Sequence, residues 1–421
     1  MTVRERRGWL IVGAIFVTMF FIWGAINCGA VFFIPVLKEF GWTRAKFSVA
    51  LSIGWVTGGA TGPLIGWLAD RIDPKKMMVV GATITGLLWL ALSRANSFGE
   101  FLVINGTFGI CVGLSTSIPS SLLIANWFEQ RRGLAMGIAF SGMTLGGAVM
   151  TLVASHAISS NGWRFGYVTL ALPILLLVVP LIVIFIRNRN ATEGRESALA
   201  ATAVPDVHVE SEPYELPGLE LSQATRTRSF WLICATQLFA GSSLGLGPHY
   251  VAYLTGIGYS ASLAATVVSL GLLMTTAGVL LGGPIADRFT SRTALLVTYS
   301  LASLGSLVLL AAAHPLALAI SILAGGFAWG ALAVQMPLVM IESLGVRRLG
   351  SVLGITGIFY TLGAAMSPIA TGRIFDVTGS YLLAIGAFAV FLFICALAIF
   401  GTRPLDHEQS QFATPAPSRA A

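Results

Sequence analysis

Uncharged apolar runs near 20 residues, the length a helix needs to cross about 30 Å of hydrocarbon, recur twelve times along the chain. They run Leu10 to Pro35, Phe47 to Ala69, Met77 to Ser93, Phe101 to Trp127, Gly133 to Ala157 and Phe165 to Ile186, then Phe230 to Leu254, Leu263 to Ala286, Thr293 to Ala312, Pro315 to Ile341, Gly350 to Phe375 and Tyr381 to Phe400. Each reads as a membrane-spanning helix, because in lipid a helix satisfies its own backbone. Polar residues collect between the runs. The largest interruption, Arg187 to Arg228, carries Pro205, Pro213 and Pro217 with mixed charge and reads as a linker. Its last part, Gly218 to Trp231, predicts a short surface helix leading into span seven.

Composition agrees: 56% of the 421 residues are hydrophobic and only 10% charged, against about a quarter charged in soluble domains. Numbering loops from a cytoplasmic N-terminus puts nineteen of the 25 Lys and Arg inside and six outside. That bias orients the chain with both termini cytoplasmic. The net charge of +7 is spread over short loops, which argues against a nucleic-acid partner. Cys28, Cys111, Cys234 and Cys395 fall inside apolar runs and suggest free thiols. The start MTVRERRGWL reads as uncleaved.

The two halves repeat at one shift of 217 residues, which carries Gly66, Ala69, Asp70 and Arg71 onto Gly283, Ala286, Asp287 and Arg288. It also carries Gly109 and Gly113 onto Gly326 and Gly330, and Gly133, Gly137, Thr144, Leu145 and Gly146 onto Gly350, Gly354, Thr361, Leu362 and Gly363. The expected architecture is therefore all-α: residues 1–187 as one six-helix bundle, 188–228 as a cytoplasmic linker, 229–403 as a second bundle and 404–421 as a flexible cytoplasmic tail. Parallel repeats of this kind place a solute site near the midplane between the halves.

The repeated loop reads Gly66-Trp67-Leu68-Ala69-Asp70-Arg71 and, again, Gly283-Pro284-Ile285-Ala286-Asp287-Arg288. Its glycine permits close helix approach. Its Asp, at a helix end, can face a neighbouring helix N-terminus, and such N-termini follow Arg132 and Leu349. This motif, the span count and the linker position resemble the major facilitator superfamily across essentially the whole chain. The resemblance implies that these contacts latch the cytoplasmic side in an outward-open state, with Glu129 and Arg131, and Glu342 and Arg348, as added ion pairs.

Three further stretches resemble the monocarboxylate and oxalate-formate porters of that superfamily: Phe33-Ile34-Pro35 to Phe40-Gly41-Trp42-Thr43-Arg44-Ala45, Asn126 to Ala139, and Gly162-Trp163-Arg164. That implies a small carboxylate such as lactate or pyruvate, often moved with a proton. The chain departs from such porters in span eight, where Leu263 to Ala286 carries no arginine or other ionisable residue. An intramembrane charge is the usual marker of an ion path, so either the site stays wet and uses neutral donors or the solute is not a bare anion.

By the same resemblance spans one, four, seven and ten, with two, five, eight and eleven, line the cavity. Their polar and aromatic residues nearest mid-depth are Trp23, Asn27, Trp55, Ser115, Thr116, Thr144, Gln237, Ser242, Thr275, Thr276, Trp329, Tyr360 and Thr361. His249, toward the outer end of span seven beside the helix-loosening Pro248, is a candidate proton sensor at the outer mouth.

The expected function is secondary active transport of a small organic acid across the plasma (inner) membrane by a monomer, with lipid and solute as partners. Alternatives are a porter for a neutral or dicarboxylate solute by uniport or exchange, and a transporter-like sensor. No catalytic or metal constellation of His, Cys and carboxylates is evident, no cofactor is implied, and no ATP-binding signature is present. An enzyme is therefore not expected.

Overall fold

The computed structural model describes residues 3–128, 130–186 and 217–410. The first half comprises α1 (Val3–Asn27), α2 (Gly29–Phe40), α3 (Arg44–Ala69), α4 (Pro74–Arg94), α5 (Phe98–Ser115), α6 (Ser117–Trp127), α7 (Arg132–Pro173) and α8 (Val179–Phe185). After a single-turn α9 (Leu221–Ala224), the second half comprises α10 (Arg228–Ser242), α11 (Tyr250–Gly256), α12 (Ala261–Phe289), α13 (Ser291–Leu309), α14 (Pro315–Leu344), α15 (Leu349–Thr378) and α16 (Leu382–Phe400), with α17 (Leu405–Ser410) beyond.

Eleven stretches among the described residues are long and apolar enough to cross a membrane, one of them the 54 residues Arg132–Phe185. At 1.5 Å per residue that stretch is about 80 Å long, far more than one crossing. It breaks at Gly162 (φ 80°, ψ 168°), a left-handed conformation that suits glycine. Spans five and six meet there, and twelve crossings result.

Two spans break at corresponding places in the two halves. Span one is interrupted at Cys28, between α1 and α2, and span seven narrows to a 3₁₀ turn over Ser243–His249 between α10 and α11. The shift of 217 maps Cys28 onto Gly245, inside that turn. Pro35 does not end span one as the sequence suggested; it lies inside α2, which runs on to Phe40. As the seventh residue of α2, Pro35 gives no N–H to the Val31 carbonyl, so the helix continues past it with that acceptor unpaired within the helix.

Glycines set the helix packing and repeat with the halves. A methyl on Gly109 would collide with the Gly54 carbonyl, and one on Gly326 would come within 2.7 Å of the Gly271 carbonyl. The same shift maps both members of one pair onto the other. Side chains then fill the space around these close approaches. Fully buried Ile11, Ile15, Met19 and Ile22 form one stripe of α1, spaced as one helix face requires.

At the end away from the repeated loops, the porter-like stretches of span one and span six come together. Phe40 stacks on Trp42 at 4.5 Å and lies 5.9 Å from Trp163, and Glu39 accepts hydrogen bonds from the Trp163 indole and Arg164. Arg164 holds the Glu39 carboxyl below its ordinary range.

The tail is not wholly free. In α17 Glu408 is fully buried and accepts a hydrogen bond from Ser229, while residues 411–421 lie outside the described residues. The linker's last part is docked as well. Val346 donates its N–H to Pro217 O (2.8 Å), Leu219 donates to Leu344 O (3.0 Å), and Glu220 closes a capping box with Gln223 on α9.

Candidate functional site

The two halves meet at the end that carries the repeated loops. Asp70, at the C-terminus of α3, crosses to the first turn of α15, where Gly350 N (2.8 Å), Ser351 N (2.9 Å) and the Ser351 hydroxyl all donate to it. Asp287 makes the mirror contact on α7, accepting from Gly133 N (2.7 Å) and Leu134 N (2.8 Å). Each carboxylate satisfies N–H groups that a helix start leaves open, where the macrodipole also favours an anion. Burial, the largest influence, raises the Asp70 carboxyl above its ordinary range, and the Ser351 and Gly350 donors pull it back.

The glycines of the motif make this reach possible. A methyl on Gly66 would collide with the Gly350 carbonyl, and one on Gly283 with the Gly133 carbonyl. Since 217 separates Gly66 from Gly283 and Gly133 from Gly350, the two joints are one contact repeated with the halves exchanged.

The other expected latch residues behave differently. Arg71 lies 4.1 Å over the Trp67 ring and Arg288 lies 5.7 Å from the Phe289 ring. Arg131 is exposed with φ 62°, and Glu129 lies outside the described residues. The expected Glu342 and Arg348 pair does not form: Glu342 caps the start of α13 by accepting from Ser291 N (2.9 Å), and Arg348 pairs with Glu220 at 2.8 Å. Arg347 reaches the same Glu220 at 2.7 Å. Glu220 was missed because nothing in a linker's composition reveals a partner 128 residues away; its capping-box spacing to Gln223 was the available signal.

Hydrogen bonding by Arg348 and the charges of both arginines hold the Glu220 carboxyl below its ordinary range. This clasp is therefore complete above the usual carboxylate range and lost as pH falls through the lowered pKa. Glu220→Gln should speed hydrogen exchange at the Leu219 and Val346 amides about threefold to tenfold at neutral pH, the effect of a partly exposed ion-pair network worth about 1 kcal/mol. Acidification should bring wild type toward the variant.

Beyond the joints the halves diverge. On α3, Gly66, Gly62 and Gly59 meet Gly350, Gly354 and Thr361, yet Trp55, on the same helical face, is 63% exposed. On α12, Val279 and Gly283 meet Gly137 and Gly133, yet Leu272, on the same helical face, is 62% exposed. An open cleft therefore lies between the halves, sealed at the loop-motif end.

The structure sorts the candidate cavity residues. Trp23 and Trp55 pair at 6.0 Å across α1 and α3; Trp55 is exposed, and the Trp23 indole N–H is buried without a partner. Asn27 is exposed next to Gly147. Thr361 packs on Gly59 of the opposite half. Gln237, half-buried, has no hydrogen-bond partner among the described residues, and Tyr360 is half-buried. Thr144, Ser242, Thr275 and Thr276 are half-buried and donate to carbonyls of their own helices.

Ser115 and Thr116 do not belong with them. Both are buried and donate to Cys111 O and Val112 O, because the helix breaks at Thr116 (φ −123°, ψ −109°) and turns them into packed protein. His249 ends the 3₁₀ turn and contacts Pro368 O at 3.2 Å and the Tyr381 hydroxyl at 3.4 Å. Sequence reasoning also missed buried Gln335, whose amide donates to Gly282 O (3.0 Å) and whose oxygen has no partner.

The family model for the Major Facilitator Superfamily matches residues 11–368. Among curated relatives, bovine (Bos taurus) monocarboxylate transporter 13 is 24% identical over 378 residues, 89% of this chain and 84% of that protein. The uncharacterized transporter YcxA of Bacillus subtilis is 23% identical over 94% of this chain and 95% of its own. Among solved structures, the proton:xylose symporter XylE bound to 6-bromo-6-deoxy-D-glucose superposes with a TM-score of 0.72 at 14% identity, covering 97% of this chain and all of that one. FucP in its outward conformation gives 0.67 at 14% identity over 92% and 97%.

Proposed function

We propose that this chain, which belongs to the Major Facilitator Superfamily, is a secondary transporter that moves a small organic acid of the monocarboxylate kind by alternating access, and is seen here closed at its cytoplasmic end. The observation that carries this reading is the duplicated Asp-to-helix joint, which seals one end of a cleft that is open at the other. A rocking motion that breaks both joints would expose the cleft on the opposite side. The bias of loop cations toward one side supports a cytoplasmic sealed end, and the plasma membrane is the expected location for a monomer of this kind.

The acid reading rests on the porter-like stretches and on relatives named as monocarboxylate transporters. The carboxylate must then be held without a fixed countercharge, since the Lys, Arg, Asp and Glu residues of spans one to twelve lie at helix ends. Exposed Asn27, half-buried Gln237 and the broken backbone of spans one and seven supply neutral donors. Ion or solute gradients provide the energy. The charge-free spans favour one second reading, a porter for a neutral solute by uniport or exchange.

Uptake into proteoliposomes under an imposed pH gradient separates the two. Labelled lactate, pyruvate, oxalate or formate is expected to accumulate at least tenfold above protein-free vesicles. Uptake of a neutral solute with none of these acids would overturn the organic-acid reading.

A further inference from the structure

The halves repeat in their joints but not in their interiors. In the first half Trp89 of α4 and Phe108 of α5 lie with ring centroids 4.7 Å apart, and Tyr167 adds a third ring 5.6 Å from Trp89. Trp89 and Phe108 are 6% and 7% exposed, so these rings plug the middle of the bundle. The shift of 217 maps Trp89 onto Ser306 and Phe108 onto Gly325. The adjacent pair Gly109 and Gly326 keeps its packing partners at that same shift, so the correspondence is structural as well.

With the plug absent, the second half holds a cavity of about 320 Å³. Ser306 and Gly325 both line it, together with Tyr250, Leu272, Trp329 and Phe388. A methyl built on Gly325 meets nothing within 4 Å. The volume falls at the lower end of the range of about 300–1,000 Å³ typical of small-molecule sites, room for a ring or branched chain. Leu272, on its rim, lies on the α12 face that turns toward the cleft between the halves, so the cavity communicates with the open side.

Its walls have few donors to offer. The hydroxyls of Ser243, Thr275, Ser306 and Ser321 donate to their own helices' carbonyls at 2.8–3.0 Å, and the Tyr250 hydroxyl is engaged with Ser321. What remains is apolar surface, hydroxyl lone pairs and the half-buried Trp329. A carboxylate would lose several kcal/mol of solvation in such a place, whereas a hydrocarbon group would gain from burial.

We infer that this cavity receives the apolar body of the transported acid, while the carboxylate stays in the wet cleft among neutral donors. The inference rests on the organic-acid reading above and narrows it to acids carrying a branched or aromatic side chain. The second half then selects by size, and the plugged first half acts as its rocking partner.

The test is direct binding of a series to the purified transporter in lipid nanodiscs: lactate, 2-hydroxyisocaproate and phenyllactate. Affinity should rise along the aliphatic steps by about fourfold per added methylene, and phenyllactate should bind best. Restoring the plug with Ser306→Trp and Gly325→Phe together should level the series at the lactate value. Gly325→Leu alone should cost phenyllactate at least tenfold and lactate less than twofold.

A flat series in wild type would overturn the cavity assignment while leaving the organic-acid reading intact. Absence of binding by all three acids would instead overturn that reading. Native mass spectrometry covers the remaining occupant. A copurified lipid lost from the filled variant, with the acid series unchanged, would assign the cavity to an acyl chain and refute the proposal. Should the double variant fail to fold, the wild-type series and Gly325→Leu still decide.

Discussion

Asp70→Asn is expected to open the sealed end and to slow transport at least tenfold, with a smaller effect from Asp287→Asn. Asparagine keeps the volume but has one acceptor oxygen, and its amide would point donors at N–H groups that already donate. Asp70 accepts three hydrogen bonds in its half-buried joint, whereas Asp287 is exposed and accepts two. A hydrogen bond to a charged group is worth about 1.5–3 kcal/mol, so losing one or two in the Asp70 joint costs about 2–4 kcal/mol. At about 1.4 kcal/mol per decade the closed population should fall roughly 30- to 1,000-fold. Asp287→Asn, more exposed to water, should shift it about 5- to 30-fold.

Spin labels at the exposed positions Lys76, on the first half, and Arg226, two residues before the first helix of the second half, would read the change. Asp70→Asn should move the distance distribution to a longer, open population, and Asp287→Asn should move it part of the way. Unchanged distances, or a larger shift in Asp287→Asn, would show that these carboxylates do not hold the joint.

The architecture was legible because a bilayer leaves the backbone few choices, and because one duplication offset tied spans two, four and five to eight, ten and eleven. That offset also implied the two joints, since an Asp four residues after a close-packing glycine, near a helix C-terminus, is where a neighbouring helix N-terminus can be met. What the residues did not disclose depends on local rotation and on distant partners. Ser115 and Thr116 counted as cavity residues on depth alone, but the break at Thr116 turns both inward. Arg348 has Glu342 within reach along the chain, and only the docking of Pro217 and Leu219 on the loop before α15 brings the distant Glu220 to it instead. The second-half cavity was hidden for another reason. Similarity between the halves drew attention to matched glycines, whereas the cavity arises from mismatched positions, Trp89 against Ser306 and Phe108 against Gly325.

Gly283→Ala is expected to be among the most damaging single methyls added to a spanning glycine. Most helix glycines gain from alanine, by about 0.5–1 kcal/mol, through lower backbone entropy in the unfolded chain. Gly386 is such a position, with nothing within 4 Å of an added methyl, and Gly386→Ala should leave uptake unchanged. At Gly283 the methyl meets the Gly133 carbonyl, and at Gly133 it meets the Gly283 carbonyl and the Asp287 carboxylate. Neither backbone can turn aside as a flexible side chain could, so α7 and α12 must separate. Overpacking of this kind costs about 1–3 kcal/mol, and the separation also lengthens the Asp287 hydrogen bonds. The closed population should therefore drop by tenfold or more, and uptake with it, while the purified protein still folds and elutes as wild type does. Because the offset makes Gly66 and Gly350 the counterparts of Gly283 and Gly133, Gly66→Ala should reproduce the defect. Normal uptake by Gly283→Ala and Gly66→Ala would mean that the halves never approach this closely during the cycle.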